Sequence, residues 1–131
     1  MPEQNRVLVV DDDEAIRKLI AAILRRRSFH VDTVANGEEA LRKLAEQPYR
    51  IMLLDLMMPK VDGYTVIDRV REQKIDVEIV VVTAAGASQV NAIDRSRVRA
   101  VISKPFDVTQ LVEIVSSVCS DPSIRQQQST S

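Results

Sequence analysis

Three observations on the sequence predict an α/β fold, with a five-stranded parallel sheet covered by helices on both faces. Short apolar runs recur along the chain, and stretches with apolar residues at helical spacing separate them. One run, Ile51-Met52-Leu53-Leu54, is apolar at every position, as a strand buried on both faces requires. Strand–helix alternation of this kind gives parallel strands joined by right-handed crossovers.

The elements follow in order. Arg6-Val7-Leu8-Val9-Val10 is the first strand. After Asp11-Asp12-Asp13, the residues Ile16, Leu19, Ile20, Ile23 and Leu24 share one helical face, and Arg25 to Arg27 place cations at the negative end of that helix. A weaker second strand spans Phe29 to Val34. Asn36, with Glu39 three residues on, has the spacing of a helix cap, followed by the buried stripe Ala40, Leu41 and Leu44. The third strand is the opening of RIMLLDLMMP, stopped by Pro59. Pro59 and Gly63 mark a loop before the helical face of Val66, Ile67 and Val70. Glu78 to Thr83 forms the fourth strand, then a small-residue loop (Ala84 to Ser88) leads to a helix around Gln89 to Arg95. Arg99 to Ser103 is the fifth strand. Asp107 caps a last helix carrying Val108, Leu111, Val112, Val115 and Val118 on one face, bordered by Cys119 as a small buried hydrophobe. The Ser/Gln-rich residues 120–131 carry no core-forming pattern and are expected to form a flexible tail.

Bulk properties narrow the function. A chain of 131 residues, 45% hydrophobic and 28% charged, has the composition of one globular domain. A formal net charge of −1 supplies no general attraction to nucleic acid or to an anionic membrane. No apolar run approaches the roughly 20 residues of a membrane span. The single cysteine, Cys119, excludes an internal disulfide framework and fits a reducing, cytoplasmic setting.

The chemistry lies at one edge. In open parallel sheets ligands bind beyond the carboxyl ends of the strands, where the strand order reverses. For the flavodoxin-like (βα)5 arrangement, order 2-1-3-4-5, that point falls between the first and third strands. The first ends in Asp11-Asp12-Asp13 and the third at Asp55, while the fourth ends at Thr83 and the fifth at Lys104. Asp55 follows four apolar residues, and a carboxylate there is costly unless a cation or hydrogen-bond donors compensate it. Two like charges 4 Å apart repel by about 4 kcal/mol at an effective dielectric of 20. Asp11, Asp12 and Asp55 therefore favour a divalent cation. Magnesium suits an all-oxygen set that also admits water and a phosphate. A carboxylate beside magnesium and an ammonium can act as a nucleophile toward phosphorus, with Thr83 donating to one oxygen. Asp55 is the central candidate.

The motifs VLVVDDDEAIR, LLDLMMPKVDG, VVVTA and SKPF, in that order, resemble the receiver domains of two-component response regulators over about residues 5–118. The resemblance implies a receiver domain over residues 5–119. It implies a phosphoacceptor switch rather than an enzyme, phosphorylated on Asp55 by a histidine kinase, a histidine phosphotransfer protein or a small phosphodonor, and acting on a downstream protein. It further implies magnesium held by Asp11, Asp12, Asp55 and the Met57 carbonyl, and a phosphoryl group contacted by Thr83, the Ala84 amide and Lys104. The Lys104-Pro105 bond is expected to be cis. Output through DNA or membrane is not expected, and phosphorylation-dependent dimerisation is left open.

Two departures bear on output. Val101 stands where the family often carries an aromatic residue, and Ser96-Arg97-Val98-Arg99 replaces a common Gly-Ala turn. Arg95, Arg97 and Arg99 form either a partner surface or solvated charges. His30 is expected to be exposed and without a role. Three alternatives compete with the switch. A haloacid-dehalogenase-type phosphatase wants a second acid two residues after the nucleophile, where Met57 stands. A flavin-nucleotide binder needs a phosphate cradle where the first loop is acidic. A degenerate receiver that binds partners unphosphorylated would not need the acids, Thr83 and Lys104 together.

Overall fold

The computed structural model describes residues 5–120. Its elements are β1 (Arg6–Val10), α1 (Glu14–Arg25), β2 (His30–Val34), α2 (Gly37–Glu46), β3 (Ile51–Leu54), α3 (Gly63–Glu72), β4 (Glu78–Thr83), α4 (Ala87–Asn91), β5 (Ala100–Ser103) and α5 (Val108–Cys119). The strands form one sheet in the order β2-β1-β3-β4-β5, and every neighbouring pair is parallel. The expected architecture is the observed one. The expected tail falls almost wholly on residues 121–131, outside the described residues; Ser120 closes α5, its amide donating to the Ser116 carbonyl.

Side-chain alternation along the strands builds two cores. Val7, Val9, Ile51, Leu53, Val80, Val82 and Ile102 pack against Ile20 and Leu24 of α1 and Leu111 and Val115 of α5. Leu8, Val10, Met52, Leu54, Ile79 and Val81 pack on the other face, against Ala40 and Leu44 of α2 and Val66, Ile67 and Val70 of α3. This alternation also places the site. Asp11 continues the parity of Val7 and Val9, Asp55 that of Ile51 and Leu53, and Lys104 that of Ile102. All three therefore emerge toward the face that carries α1 and α5.

Local signals explain most helix boundaries. Asp13, Asn36, Asp62 and Asp107 each accept a backbone N–H of the first turn, so α1, α2, α3 and α5 all begin at a side-chain cap. The fourth helix departs from expectation. Instead of spanning Gln89 to Arg95, it covers only Ala87–Asn91, and a separate 3-10 turn covers Arg95–Arg97. Asp94 causes the break. Its side chain accepts from the Ser96 amide at 3.0 Å and from the Ser96 hydroxyl at 2.6 Å, starting a new turn in place of continuing the old one.

The end of α3 uses an unfavourable residue. Lys74 has φ 54°, in the left-handed region. Its amide donates to the Arg71 carbonyl, and the Ile75 amide reaches back to Val70 at 3.0 Å, which is the pairing of a Schellman closure. A side chain there costs about 1–2 kcal/mol, against about 0.4–1 kcal/mol for the extra freedom glycine has when unfolded. Lys74→Gly is therefore expected to stabilise the fold by about 0.5–1 kcal/mol, seen as a higher urea midpoint with an unchanged slope. Cys119 is buried, and burial pushes its thiol up to about 11, with a smaller opposing effect from the Arg50 charge. Its reaction with a disulfide reagent near neutral pH is expected to be slow in the native protein and to become fast on unfolding.

Candidate functional site

Strand register assembles the site. Val10 pairs with Leu54, so Asp11 and Asp55 are the next residues on adjacent strands, and the Asp55 amide donates to the Val10 carbonyl at 3.0 Å. Thr83 pairs with Ser103, and the Lys104 amide donates to the Thr83 carbonyl at 2.9 Å. Of the four buried polar or charged residues among those described, Asp11, Asp55 and Thr83 stand at this edge, while Arg50 precedes β3 at the opposite end.

Each Asp55 oxygen has its own partners. Oδ1 accepts from the Thr83 hydroxyl at 2.9 Å and from the Met57 amide at 3.2 Å. Oδ2 accepts from Lys104 Nζ at 3.2 Å, and the same ammonium donates to Asp11 Oδ2 at 2.6 Å. These partners resolve the difficulty of a carboxylate at the end of an apolar strand. Asp11 Oδ1 accepts from the Asp13 amide at 2.9 Å, and Arg17 donates to the Asp11 carbonyl at 2.8 Å. Arg17 was not among the sequence candidates. Its only sequence signal is its place one turn after the Asp13 cap, where its side chain can fold back over the loop.

Asp11, Asp12 and Asp55 each offer an oxygen, and the three lie within 4.8 Å of one another. The single ammonium offsets only one of the three charges. Asp12 is exposed, so the cluster faces solvent on one side. An all-oxygen, solvent-facing set with surplus negative charge fits a hard divalent cation that keeps several waters. His30 is exposed at the start of β2, at the other end of the strands, and Cys119 ends α5. Neither joins the cluster.

Residues 7–116 match the family model of the response regulator receiver domain. The chain belongs to this family. SrrA of Staphylococcus aureus, a transcriptional regulatory protein, is 36% identical over 128 residues, a match covering 96% of this chain and 50% of that protein. The chain thus spans about half the length of the relatives of this kind that it matches. Among solved structures, the response regulator TrrA of Thermotoga maritima in complex with Mg(2+)-BeF is 32% identical, with a TM-score of 0.79 over 87% of this chain and 98% of that one. A CheY-like receiver domain protein from Methanospirillum hungatei is 28% identical, with a TM-score of 0.80 over 94% and 98% of the two chains.

The receiver domain brings together Asp11, Asp12, Asp55, Thr83 and Lys104 as the sequence predicts. Met57 follows Asp55 by two residues and Ala84 follows Thr83 by one. The Met57 side chain is 52% exposed and Ala84 is exposed just past β4. The Lys104-Pro105 bond is cis, as expected. Of the three arginines, Arg95 is exposed, and the other two meet acids. Arg97 pairs with Asp68 at 2.6 Å and with Asp94 at 3.5 Å, and Arg99 lies 3.7 Å from Glu78.

Electrostatics at the site follow from burial. Desolvation lifts the Asp11 carboxyl above its ordinary value, although the hydrogen bond from Lys104 opposes this. Desolvation pulls the Lys104 ammonium down, but the Asp11 and Asp55 carboxylates together outweigh it, so the ammonium ends above its ordinary value and is charged at neutral pH. A raised folded value for Asp11 means that its contribution to stability is present below the unfolded value and is lost as pH rises through the folded one. At neutral pH without metal, ionised Asp11 is thus a net cost. Asp11→Asn, which keeps the Oδ1 acceptor, is expected to raise Tm by a few degrees in the presence of a chelator. Magnesium is expected to stabilise the unaltered protein by about 2.7 kcal/mol at a hundredfold excess over Kd, and Asp11→Asn is expected to lose that gain. Thermal melts with and without magnesium measure both effects.

Proposed function

We propose that the receiver domain is a phosphoacceptor switch in which Asp55 is the residue phosphorylated. One observation carries this: Asp55 is buried, yet both its oxygens are engaged by groups that also suit a phosphoryl group, the Thr83 hydroxyl on one and the Lys104 ammonium on the other. In the step, Asp55 Oδ attacks phosphorus roughly in line with the leaving atom, an imidazole nitrogen of a phosphohistidine or an oxygen of a small donor. A P–O bond to the carboxylate forms while the bond to the donor breaks, and the donor departs with the electron pair. Lys104 and Thr83 meet the charge on the equatorial oxygens, and the Ala84 amide adds a donor beyond β4.

Asp11, Asp12, Asp55 and the Met57 carbonyl would hold magnesium. When bound, the ion supplies charge neutralisation to the transferring oxygens. The ordinary phosphodonor is a histidine kinase or histidine phosphotransfer protein. The output is binding of a downstream protein target in the cytoplasm, not turnover of a substrate. Family membership, the Mg(2+)-BeF complex of TrrA and the acidic cluster support this reading. Among the described residues no helix is long and apolar enough to cross a membrane.

Incubation with acetyl phosphate and magnesium is expected to add one phosphoryl group to the intact mass. Asp55→Asn and metal chelation should each abolish the gain. Steady hydrolysis of phosphate esters without a lasting adduct would point to a phosphatase instead.

A further inference from the structure

The segment from Ala84 to Ser88 follows the Thr83 hydroxyl, yet its sequence, AAGAS, does nothing to make it rigid. The helix it leads into, α4, is five residues long and has no buried residue. So short a helix cannot hold itself together by its internal hydrogen bonds. Its order must come from outside.

Val90 packs partly buried against the core, and polar ties from α3 supply the rest. The Tyr64 hydroxyl donates to the Gln89 carbonyl at 2.7 Å, across 25 residues of sequence. The Gln89 side chain turns back toward the loop, and its Oε1 accepts from the Gly86 amide at 2.8 Å. One residue earlier, the Ala85 amide donates to Thr83 Oγ1 at 3.2 Å, and that hydroxyl donates to Asp55. The circuit closes on the far side of Asp55. The Gly63 amide donates to the Leu56 carbonyl at 3.1 Å, and a Cβ added at Gly63 would lie 2.6 Å from the Asp55 carbonyl oxygen. The first turn of α3 therefore rests on the backbone of the acceptor and also reaches around to the loop opposite. Farther along the same helical face, Asp68 pairs with Arg97 and Arg71 with Asp94. These ties hold the other end of the segment.

We propose that Tyr64 and Gln89 are positioning residues that fix the loop after β4, keep the Thr83 hydroxyl on Asp55, and carry a change at Asp55 outward to α4. The first part stands on the unphosphorylated geometry, and the relay rests on the phosphoacceptor function above. Val101, half-buried and apolar, has no polar atom on its side chain with which to make such a tie. Tyr64 provides one from α3. When phosphorus bonds to Asp55, the Thr83 hydroxyl turns from the carboxylate to a phosphoryl oxygen, and the loop shifts with it. Gly86 and Gln89 pass that shift to α4 and Tyr64.

Amide hydrogen exchange on the full chain, with intact mass measured on the same samples, tests both parts. Without phosphodonor, Tyr64→Phe and Gln89→Leu are each expected to speed exchange over residues 85–91 about fivefold, as loss of one hydrogen bond does, with the strands unaffected. Gln89→Glu keeps an acceptor for the Gly86 amide and should retain the native rate. Unchanged exchange over 85–91 in both Tyr64→Phe and Gln89→Leu overturns the positioning role. With acetyl phosphate and magnesium, the unaltered protein should change its exchange over 85–91, whereas in Tyr64→Phe the change should stop near Gly86. An identical change in the two proteins, each carrying the phosphoryl group, overturns the relay. No mass gain in the unaltered protein refutes the phosphoacceptor function and the relay with it, and the exchange without phosphodonor then still decides the positioning role.

Discussion

Two carboxylates on neighbouring strands, both buried, repel one another, and the Lys104 ammonium between them makes the arrangement tolerable. Asp11 and Asp55 share this one cation at 2.6 and 3.2 Å. Buried charges persist only when paired. The site is accordingly balanced rather than relaxed. One ammonium cannot neutralise three acids, and the residual negative charge suits a divalent cation at the edge of the sheet.

The rest of the fold serves to hold that balance in register. Parallel pairing of β1 with β3 places Asp11 beside Asp55, and pairing of β4 with β5 places Lys104 one step beyond Thr83. The two apolar cores clamp the strands from both faces, so the strand ends have little freedom to move apart. The loops that carry the remaining groups are held differently. Around α4, polar ties supplement the packing of Ala85, Val90 and Ile93, and such ties are weaker individually and easier to rearrange. A rigid sheet edge thus faces a more loosely held loop.

Much of this was legible before any coordinates. Asp55 announced itself as a charge after an all-apolar strand, and the order Asp11-Asp12, Asp55, Thr83, Lys104 along the chain matched the ends of successive strands. Asn36 and Asp107 announced their helices through cap chemistry, which is local and therefore readable. Where the sequence misled, the deciding contact was distant or competed with another local one. The expected helix through Arg95 stopped at Asn91 because the Asp94 side chain found Ser96. The partners of Arg97 and Arg99, Asp68 and Glu78, lie more than 20 residues away in the chain and leave no local signal. Arg17 and Tyr64 carried no distinguishing pattern, since each acts through one hydrogen bond to a backbone carbonyl.

By itself, the sequence determined the class of fold, the residues at the strand ends and the chemistry they share. Those follow from periodicity and from residue type, and both are properties of the chain read locally. Only the tertiary structure decided which oxygen of Asp55 meets Thr83 and which meets Lys104, how the lysine divides itself between two acids, and what ties α3 to α4. These depend on side-chain directions set by packing across elements, and no local pattern encodes them.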